Sequence, residues 1–147
     1  MAISATNRVR ATERRDLEQM LRQRVSGEVR FDPFSRVLYS TDASIYQMEP
    51  VGVVVPRTNE DVLAVLEVAR DNRVPVLPRA GGTSLAGQTV NHAIVIDFSK
   101  YLNQVIEVNR EAGWARVQPG IVLDQLNREL LPYGMMYAPD PTTSSRA

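Results

Sequence analysis

The sequence of 147 residues contains no cysteine, which excludes disulfide bonds, thiolate metal sites and cysteine nucleophiles within these residues. It has one histidine, His92, with no carboxylate or second histidine nearby in the sequence, and we interpret it as a strand-edge residue rather than a base or ligand. No apolar run approaches the roughly 18 residues typical of a membrane span, and the N-terminus lacks the apolar core of a signal peptide. These absences predict a cytoplasmic protein without a transmembrane segment, and they leave peripheral attachment to a membrane open.

Neither sign of charge is in excess, because 17 Lys and Arg residues balance 17 Asp and Glu residues. A nucleic-acid partner needs a clustered basic face, so the composition predicts no such partner. Six of the sixteen arginines crowd the first 24 residues, and we interpret them as the solvated face of an N-terminal helix. No Ser/His/Asp arrangement and no metal-ligand spacing is discernible.

The sequence does contain an alternation of strands and helices. Val51-Gly-Val-Val-Val55 is a β-branched run that indicates a strand buried on both faces. Thr58 is placed to cap the next helix, with Asp61 near the capping-box position, and a second strand is predicted at 74–77. Such a βαβ unit predicts parallel strands. The other predicted elements are a helix over about 13–25, a buried strand over 93–98, a hairpin of 104–109 with 114–118, and a helix over 122–131.

The most informative stretch is the loop that follows strand 74–77, which has glycine at 81, 82 and 87. Glycine lets the backbone approach a ligand closely, and successive N–H groups in such a loop can hold an anion. Side chains with donors suited to phosphate lie among the glycines: Arg79, Thr83, Ser84 and Gln88. Because α/β sheets bind ligands at the carboxyl ends of strands, this loop predicts a site for the phosphates of a nucleotide cofactor.

Two familiar nucleotide motifs do not fit this loop. Residues 82–89 look close to a Walker A loop, but Gln88 stands at the lysine position and the strand at 93 leaves no room for a helix. No G-x-G-x-x-G follows the first strand, so the nicotinamide-type fingerprint is missing. A tight interstrand turn is the remaining alternative, although a connection of about fifteen residues is longer than a turn needs.

The segment Pro78-Arg-Ala-Gly-Gly-Thr-Ser-Leu-Ala-Gly-Gln88 resembles the first pyrophosphate loop of FAD-linked oxidases of the vanillyl-alcohol oxidase and p-cresol methylhydroxylase type. Further segments that resemble landmarks of this family are 39–44, 49–57, 117–120 and 137–145. The branch that the chain resembles most is that of the bacterial D-lactate and glycolate dehydrogenases, which includes long members with appended iron–sulfur segments.

The resemblance implies an α+β (α/β) fold, in which a small parallel βαβ sheet with helices precedes the start of a mainly antiparallel sheet, as in FAD-binding domains of the p-cresol methylhydroxylase type. It implies an N-terminal helical extension over 1–46, a first FAD-binding subdomain over 47–102 and a truncated second one over 103–147. We therefore expect an N-terminal fragment of a longer protein, whose catalytic residues lie beyond Ala147 and which is inactive alone.

At the site, the resemblance implies that backbone N–H groups of loop 79–84 hold the FAD pyrophosphate and that residues near 140 approach the flavin. The implied cofactor-binding residues are Arg79, Ala80, Gly81, Gly82, Thr83, Ser84, Gly87, Gln88, Pro139, Asp140 and Ser144. Ala80 stands where the family most often has glycine, so either it adopts an ordinary φ or binding is weaker. Thr83 stands where some relatives carry a histidine bonded to the flavin, which implies non-covalent FAD.

The resemblance also implies a flavin-dependent dehydrogenase or oxidase that oxidises a 2-hydroxy acid such as D-lactate or glycolate and passes electrons to an acceptor. An iron–sulfur cluster beyond Ala147 and a homo-oligomer are left open. One alternative is another enzyme on the same flavin domain, similar to UDP-N-acetylenolpyruvoylglucosamine reductase or alkyl-dihydroxyacetone-phosphate synthase. The other is a non-catalytic nucleotide-binding module.

Overall fold

The computed structural model describes residues 11–139 and 141–146. The helices are α1 (Ala11–Arg24), α2 (Pro33–Leu38), α3 (Asn59–Asp71) and α4 (Leu123–Leu130), the last followed by a 3-10 turn at Leu131–Tyr133. The strands are β1 (Glu28–Arg30), β2 (Gly52–Val55), β3 (Val76–Arg79), β4 (Ile94–Asp97), β5 (Val105–Asn109) and β6 (Trp114–Val117).

The first sheet has four strands in the order β1-β2-β4-β3. Val95 at the centre of β4 pairs with Val53 of β2 on one side and with Leu77 of β3 on the other, and all three strands are parallel. The predicted parallel βαβ unit is therefore confirmed, with β4 inserted between its two strands. β1 pairs with β2 as an antiparallel edge strand; it was not predicted, because three residues are too few to show an alternating pattern.

β3 begins two residues later than predicted. The delay comes from the end of α3, where Arg73 adopts a φ of 55° and the N–H of Val74 still donates into the helix at 2.8 Å. Pro78 is tolerated inside this strand because β3 lies at the edge of the sheet. The carbonyl groups of Pro75 and Arg79 accept hydrogen bonds from the β4 side, so the alternation of the strand turns Pro78 away from β4.

The N-terminus of α3 is capped as predicted, because the Thr58 hydroxyl accepts a hydrogen bond from the Asp61 N–H at 3.2 Å. The Asp61 carboxylate accepts from the N–H groups of Arg57 at 2.8 Å and Ser26 at 2.7 Å. Burial raises the pKa of Asp61, but these hydrogen bonds outweigh it and hold the pKa below its ordinary value. The carboxylate thereby ties the end of α1 to the start of α3.

The core of the first sheet lies beneath α1 and α3, which pack against each other. Leu21 of α1 and Val65 of α3 are fully buried, and so are Val54 and Ile94 of the sheet. Each such side chain contributes about 1.5–3 kcal/mol relative to its exposed state. Because α1 and β1 pack with this sheet, the segment before residue 46 is joined to it, and the subdomain boundaries near 46 and 102 stay predictions.

The second sheet is the predicted hairpin of β5 and β6, in which Asn109 pairs with Trp114 across a glycine-bearing turn. The buried leucines of α4, Leu123, Leu126 and Leu130, give this helix one apolar face, and α4 contacts β5. A sheet of three parallel strands with one antiparallel edge strand, followed by an antiparallel pair, confirms the predicted α+β class. Among the described residues, no helix combines the length and the apolar character needed to cross a membrane.

Candidate functional site

The glycine loop, which we define as residues 80–88, leaves the carboxyl end of β3 and forms neither helix nor strand. Most of its residues, together with Thr89, line an open concavity of about 640 Å³. In α/β sheets, ligands bind outside the carboxyl ends of the strands. The loop singled out by its sequence therefore lies where this kind of fold takes a ligand.

Among the described residues, the backbone N–H groups in the first half of the glycine loop have no hydrogen-bond acceptor. Of segment 79–84, Arg79 alone belongs to β3. Within residues 11–139 and 141–146, no hydrogen bond is donated by the N–H groups of Gly81, Gly82, Thr83 or Ser84. Gly82 turns the chain with a φ of 65°, a conformation that suits glycine, while Ala80 adopts an ordinary negative φ. Free successive amides beside a left-handed residue are the backbone arrangement that binds anions.

The guanidinium group of Arg79 is occupied by the protein's own backbone. It donates to the carbonyl oxygens of Thr41 at 2.8 Å, Thr89 at 3.0 Å and Tyr39 at 3.4 Å. It also lies 5.3 Å from the centroid of the Tyr39 ring, a cation–π distance. The sequence suggested this side chain as a phosphate donor, and the structure brings it to three carbonyl groups; direct contact with the pyrophosphate stays a prediction.

The second half of the loop is folded back on the Ser84 hydroxyl. This oxygen accepts hydrogen bonds from the N–H groups of Ala86 at 3.3 Å and Gln88 at 3.2 Å, and it donates to the Gln88 side chain. Ser84 and Gln88 therefore close a local turn at the rim of the concavity. Their roles toward a cofactor stay predictions.

A second segment, which sequence reasoning left as a loop, packs against the glycine loop. We call residues 39–47 the anchor segment. Its Asp42 accepts a hydrogen bond from the Thr89 hydroxyl at 2.9 Å and from the Thr89 N–H at 3.4 Å. The ring of Tyr46 covers Gly87, where an added Cβ would lie 2.6 Å from the ring. The similarity of 39–44 to a family landmark was the one sequence signal that pointed to this segment.

The C-terminal segment also reaches the glycine loop. A Cβ built on Gly81 would lie 2.2 Å from the carbonyl oxygen of Arg146, so the two backbones are in close contact. Ser144 is two residues away in a turn, and its carbonyl accepts from the first turn of α4 at 3.2 Å. Pro139 is exposed, and Asp140 lies outside the described residues. The structure thus brings the neighbourhood of Ser144 to the predicted pyrophosphate loop.

Asp97, at the carboxyl end of β4, has a structural partner rather than an open face. It accepts a hydrogen bond from the Tyr39 hydroxyl at 2.5 Å and from the N–H of Ser99 at 2.8 Å. Burial, together with the bond to Asp97, raises the pKa of Tyr39 to about 12, so the phenol stays protonated. The contact attaches the anchor segment to the central strand of the sheet.

A second concavity, of about 530 Å³, lies near the amino ends of β2 and β4. Two of its side chains contact Glu49: Arg36 bonds to the Glu49 carboxylate at 2.7 Å, and the His92 Nδ1 lies 2.6 Å from the Glu49 carbonyl oxygen. His92 is thus a strand-edge residue, as predicted. In the part of the chain that the structure describes, no group of three or more His, Cys, Asp and Glu residues is arranged to hold a metal ion.

Comparison with known proteins places this site in a family. Residues 50–147 match the family described as FAD binding domain. The match covers most of the chain and includes the glycine loop. The chain belongs to this family of FAD binding domains, which confirms the family predicted from the sequence.

Three curated relatives name the enzymes that the chain is similar to. The D-2-hydroxyglutarate dehydrogenase of Escherichia coli K12 is 41% identical over 134 residues, which are 89% of this chain and 13% of the relative. Glycolate oxidase subunit GlcD of Bacillus subtilis is 36% identical over 88% of this chain and 28% of the relative. The mitochondrial D-lactate dehydrogenase [cytochrome] of Kluyveromyces lactis is 33% identical over 75% of this chain and 20% of the relative. The chain therefore spans between 13% and 28% of the length of these relatives.

Solved structures share the fold at lower identity. The 4-ethylphenol oxidase from Gulosibacter chungangensis superposes with a TM-score of 0.75 at 20% identity, over 87% of this chain and 26% of that one. An alkyldihydroxyacetonephosphate synthase superposes with a TM-score of 0.75 at 21% identity, over 86% of this chain and 28% of that one. p-Cresol methylhydroxylase superposes with a TM-score of 0.72 at 19% identity, over 86% of this chain and 26% of that one. These likenesses confirm the predicted p-cresol methylhydroxylase type of fold.

Proposed function

We propose that this chain is the FAD-binding part of a flavin-dependent oxidoreductase that oxidises a 2-hydroxy acid. In this proposal the N–H groups of Gly81, Gly82, Thr83 and Ser84 hold the FAD pyrophosphate. One observation carries this proposal: within the described residues, these N–H groups, at the carboxyl end of β3, donate no hydrogen bond. If the loop were paired with a strand of the sheet, its N–H groups would be used in that pairing and could not bind an anion.

The residues of the loop fit a diphosphate. Segment 80–88 contains no carboxylate that would repel an anion, and its glycines add no side chain of their own over the backbone. Thr83 offers a hydroxyl but no nucleophilic nitrogen, so it provides no link to a flavin ring and supports non-covalent binding. When bound, FAD supplies the redox chemistry at its isoalloxazine ring, and the chain's own share is binding and orientation.

The substrate class rests on the relatives. D-2-hydroxyglutarate, glycolate and D-lactate each carry a hydroxyl group on the carbon next to a carboxylate. Oxidation of that carbon to a ketone or aldehyde removes two electrons and two protons, and an acceptor outside these residues receives the electrons. The residue that accepts the proton of the hydroxyl group belongs, in this proposal, to the remainder of the polypeptide.

The test uses the full-length protein. It should purify with flavin absorption, and heat or acid treatment should release the flavin as FAD into solution. Anaerobic addition of D-2-hydroxyglutarate, D-lactate or glycolate should bleach the absorption, with the corresponding 2-oxo acids as controls. A full-length protein without flavin overturns the cofactor assignment; a flavin that no 2-hydroxy acid reduces overturns the substrate class alone.

The alternative enzymes on the same flavin domain have fold likeness as their support. An alkyldihydroxyacetonephosphate synthase shares the fold at 21% identity, whereas the 2-hydroxy acid dehydrogenases reach 41%. We therefore favour the 2-hydroxy acid class over a synthase, a reductase or a non-catalytic module. The iron–sulfur cluster, the electron acceptor, the homo-oligomer and the cytoplasmic location stay proposals; iron and acid-labile sulfide analysis of the full-length protein tests the first.

A further inference from the structure

The glycine loop and the two residues that flank it are bonded to the anchor segment. At its start, Arg79 donates to two carbonyl groups of the anchor segment. Midway, the N–H of Ala43 donates to the carbonyl of Gly82 at 3.1 Å. At its end, Thr89 donates to a carboxylate of the same segment. Three points are therefore bonded to the anchor segment: Arg79, which ends β3, the carbonyl of Gly82 within the loop, and Thr89, which follows the loop.

The anchor segment is itself held in place by hydrogen bonds within the segment and to the sheet. Thr41 and Gln47 pair as an antiparallel bridge that closes the segment on itself. The Tyr39 hydroxyl donates to Asp97 at 2.5 Å and so connects the segment to the central strand β4. The anchor segment therefore holds the glycine loop in a fixed position relative to the sheet.

Asp42 is the side chain of the anchor segment that bonds to Thr89. Its carboxylate accepts hydrogen bonds from the N–H and hydroxyl groups of both Ser44 and Thr89. Burial raises its pKa, but these four bonds outweigh burial and lower the pKa to about 2, so the group is charged at neutral pH. A carboxylate beside an anion site opposes anion binding by Coulomb repulsion. We explain the presence of the Asp42 carboxylate beside this site by its hydrogen bonds to Thr89, which hold the end of the glycine loop in place.

We propose that Asp42 is a positioning residue for the cofactor: through Thr89 it fixes the end of the glycine loop so that the free amides of residues 81–84 keep facing the concavity. The proposal rests on the proposed function, because the amides are assigned to the FAD pyrophosphate there. Asp42 itself touches no cofactor in this arrangement.

The test measures FAD affinity in full-length variants. Asp42→Asn replaces a charged acceptor by an amide whose NH₂ group faces donors, and Thr89→Val removes the hydroxyl at nearly constant shape. We expect each to weaken FAD binding about tenfold or more, the size of one charge-assisted hydrogen bond. Thr89→Ser keeps the hydroxyl and should restore near wild-type affinity. The double variant Asp42→Asn/Thr89→Val should be no weaker than the worse single variant, because both remove one interaction.

Asp71→Asn is the matched control, since Asp71 is exposed at the end of α3 and pairs with its neighbour Arg70. The melting temperature of each apoprotein variant measures its general loss of stability. If the loop is no longer held in position, FAD affinity should fall by more than this loss of stability explains. If Asp42→Asn does not fold, the comparison of FAD affinity between Thr89→Val and Thr89→Ser tests the inference instead. Wild-type affinity in Thr89→Val overturns the inference alone. A wild-type protein that holds no FAD overturns the proposed function, and the inference falls with it.

Discussion

Replacement of Gly82 by alanine probes the free amides most directly. Gly82 has a φ of 65°, and the left-handed region costs an ordinary L-residue about 1–2 kcal/mol. An added Cβ would lie 2.5 Å from an Nη atom of Arg79, so the guanidinium that holds the anchor segment has to move. Movement of the guanidinium gives up its hydrogen bonds to the anchor segment, and relief of the strained φ changes the path of the loop, so we expect the amides of residues 81–84 to be displaced.

The size of the effect follows from the bonds that are lost. A hydrogen bond from a backbone amide to a charged oxygen contributes about 1.5–3 kcal/mol. Since about 1.4 kcal/mol corresponds to a factor of ten, the loss of one such bond should raise the Kd for FAD about 10- to 100-fold.

Gly113→Ala is the matched control for this variant. Gly113 has a φ of 70° in the turn between β5 and β6, and a Cβ there meets nothing within 4 Å. Both variants should therefore lower the melting temperature of the apoprotein through backbone strain, but Gly82→Ala alone should weaken FAD binding, measured by titration of the full-length apoprotein. Equal FAD affinity in Gly82→Ala and wild type would refute the assignment of the loop amides.

Three further predictions concern the fold. Leu21→Ala should lower the free energy of unfolding by about 2–5 kcal/mol in urea titrations, because Leu21 is fully buried, while Leu63→Ala on the exposed side of α3 should change it little. Thr58→Ala should cost about 1 kcal/mol by loss of the α3 cap; an unchanged urea midpoint would contradict this. Glu28 has its pKa lowered to about 2, chiefly by a hydrogen bond from Lys100, so the native state binds fewer protons than the unfolded state below about pH 4.5. Acidification from there to pH 2 should destabilise the protein, and Glu28→Gln should flatten that part of the stability profile.

The elements of the first sheet were predictable where one local signal dominated. The β-branched run at Val51–Val55 and the capping residue Thr58 gave β2 and α3. The start of β3 was missed because the exit turn of α3 extends to Val74, and β1 was missed because it is short. The central position of β4 depends on pairing between strands that are distant in sequence, and local periodicity does not encode such pairing.

The same limit applies to the site. Glycine spacing located the loop, because positive φ and an uncovered backbone require that residue type. The anchor segment was not found, since Asp42 and Thr89 are 47 residues apart and neither belongs to a periodic pattern. Arg79 was assigned to phosphate from its chemistry alone, and the carbonyl groups that occupy it become visible only once the chain is folded.

Pro78 has a consequence for how copies of this domain can meet. An edge strand with a full row of unpaired N–H and C=O groups templates the addition of a further strand from another molecule. The outward position of Pro78 on β3 interrupts that row, and the opposite rim of the sheet is the three-residue, charge-flanked β1. Extension of the first sheet from one copy of the domain into another is therefore disfavoured at both of its rims.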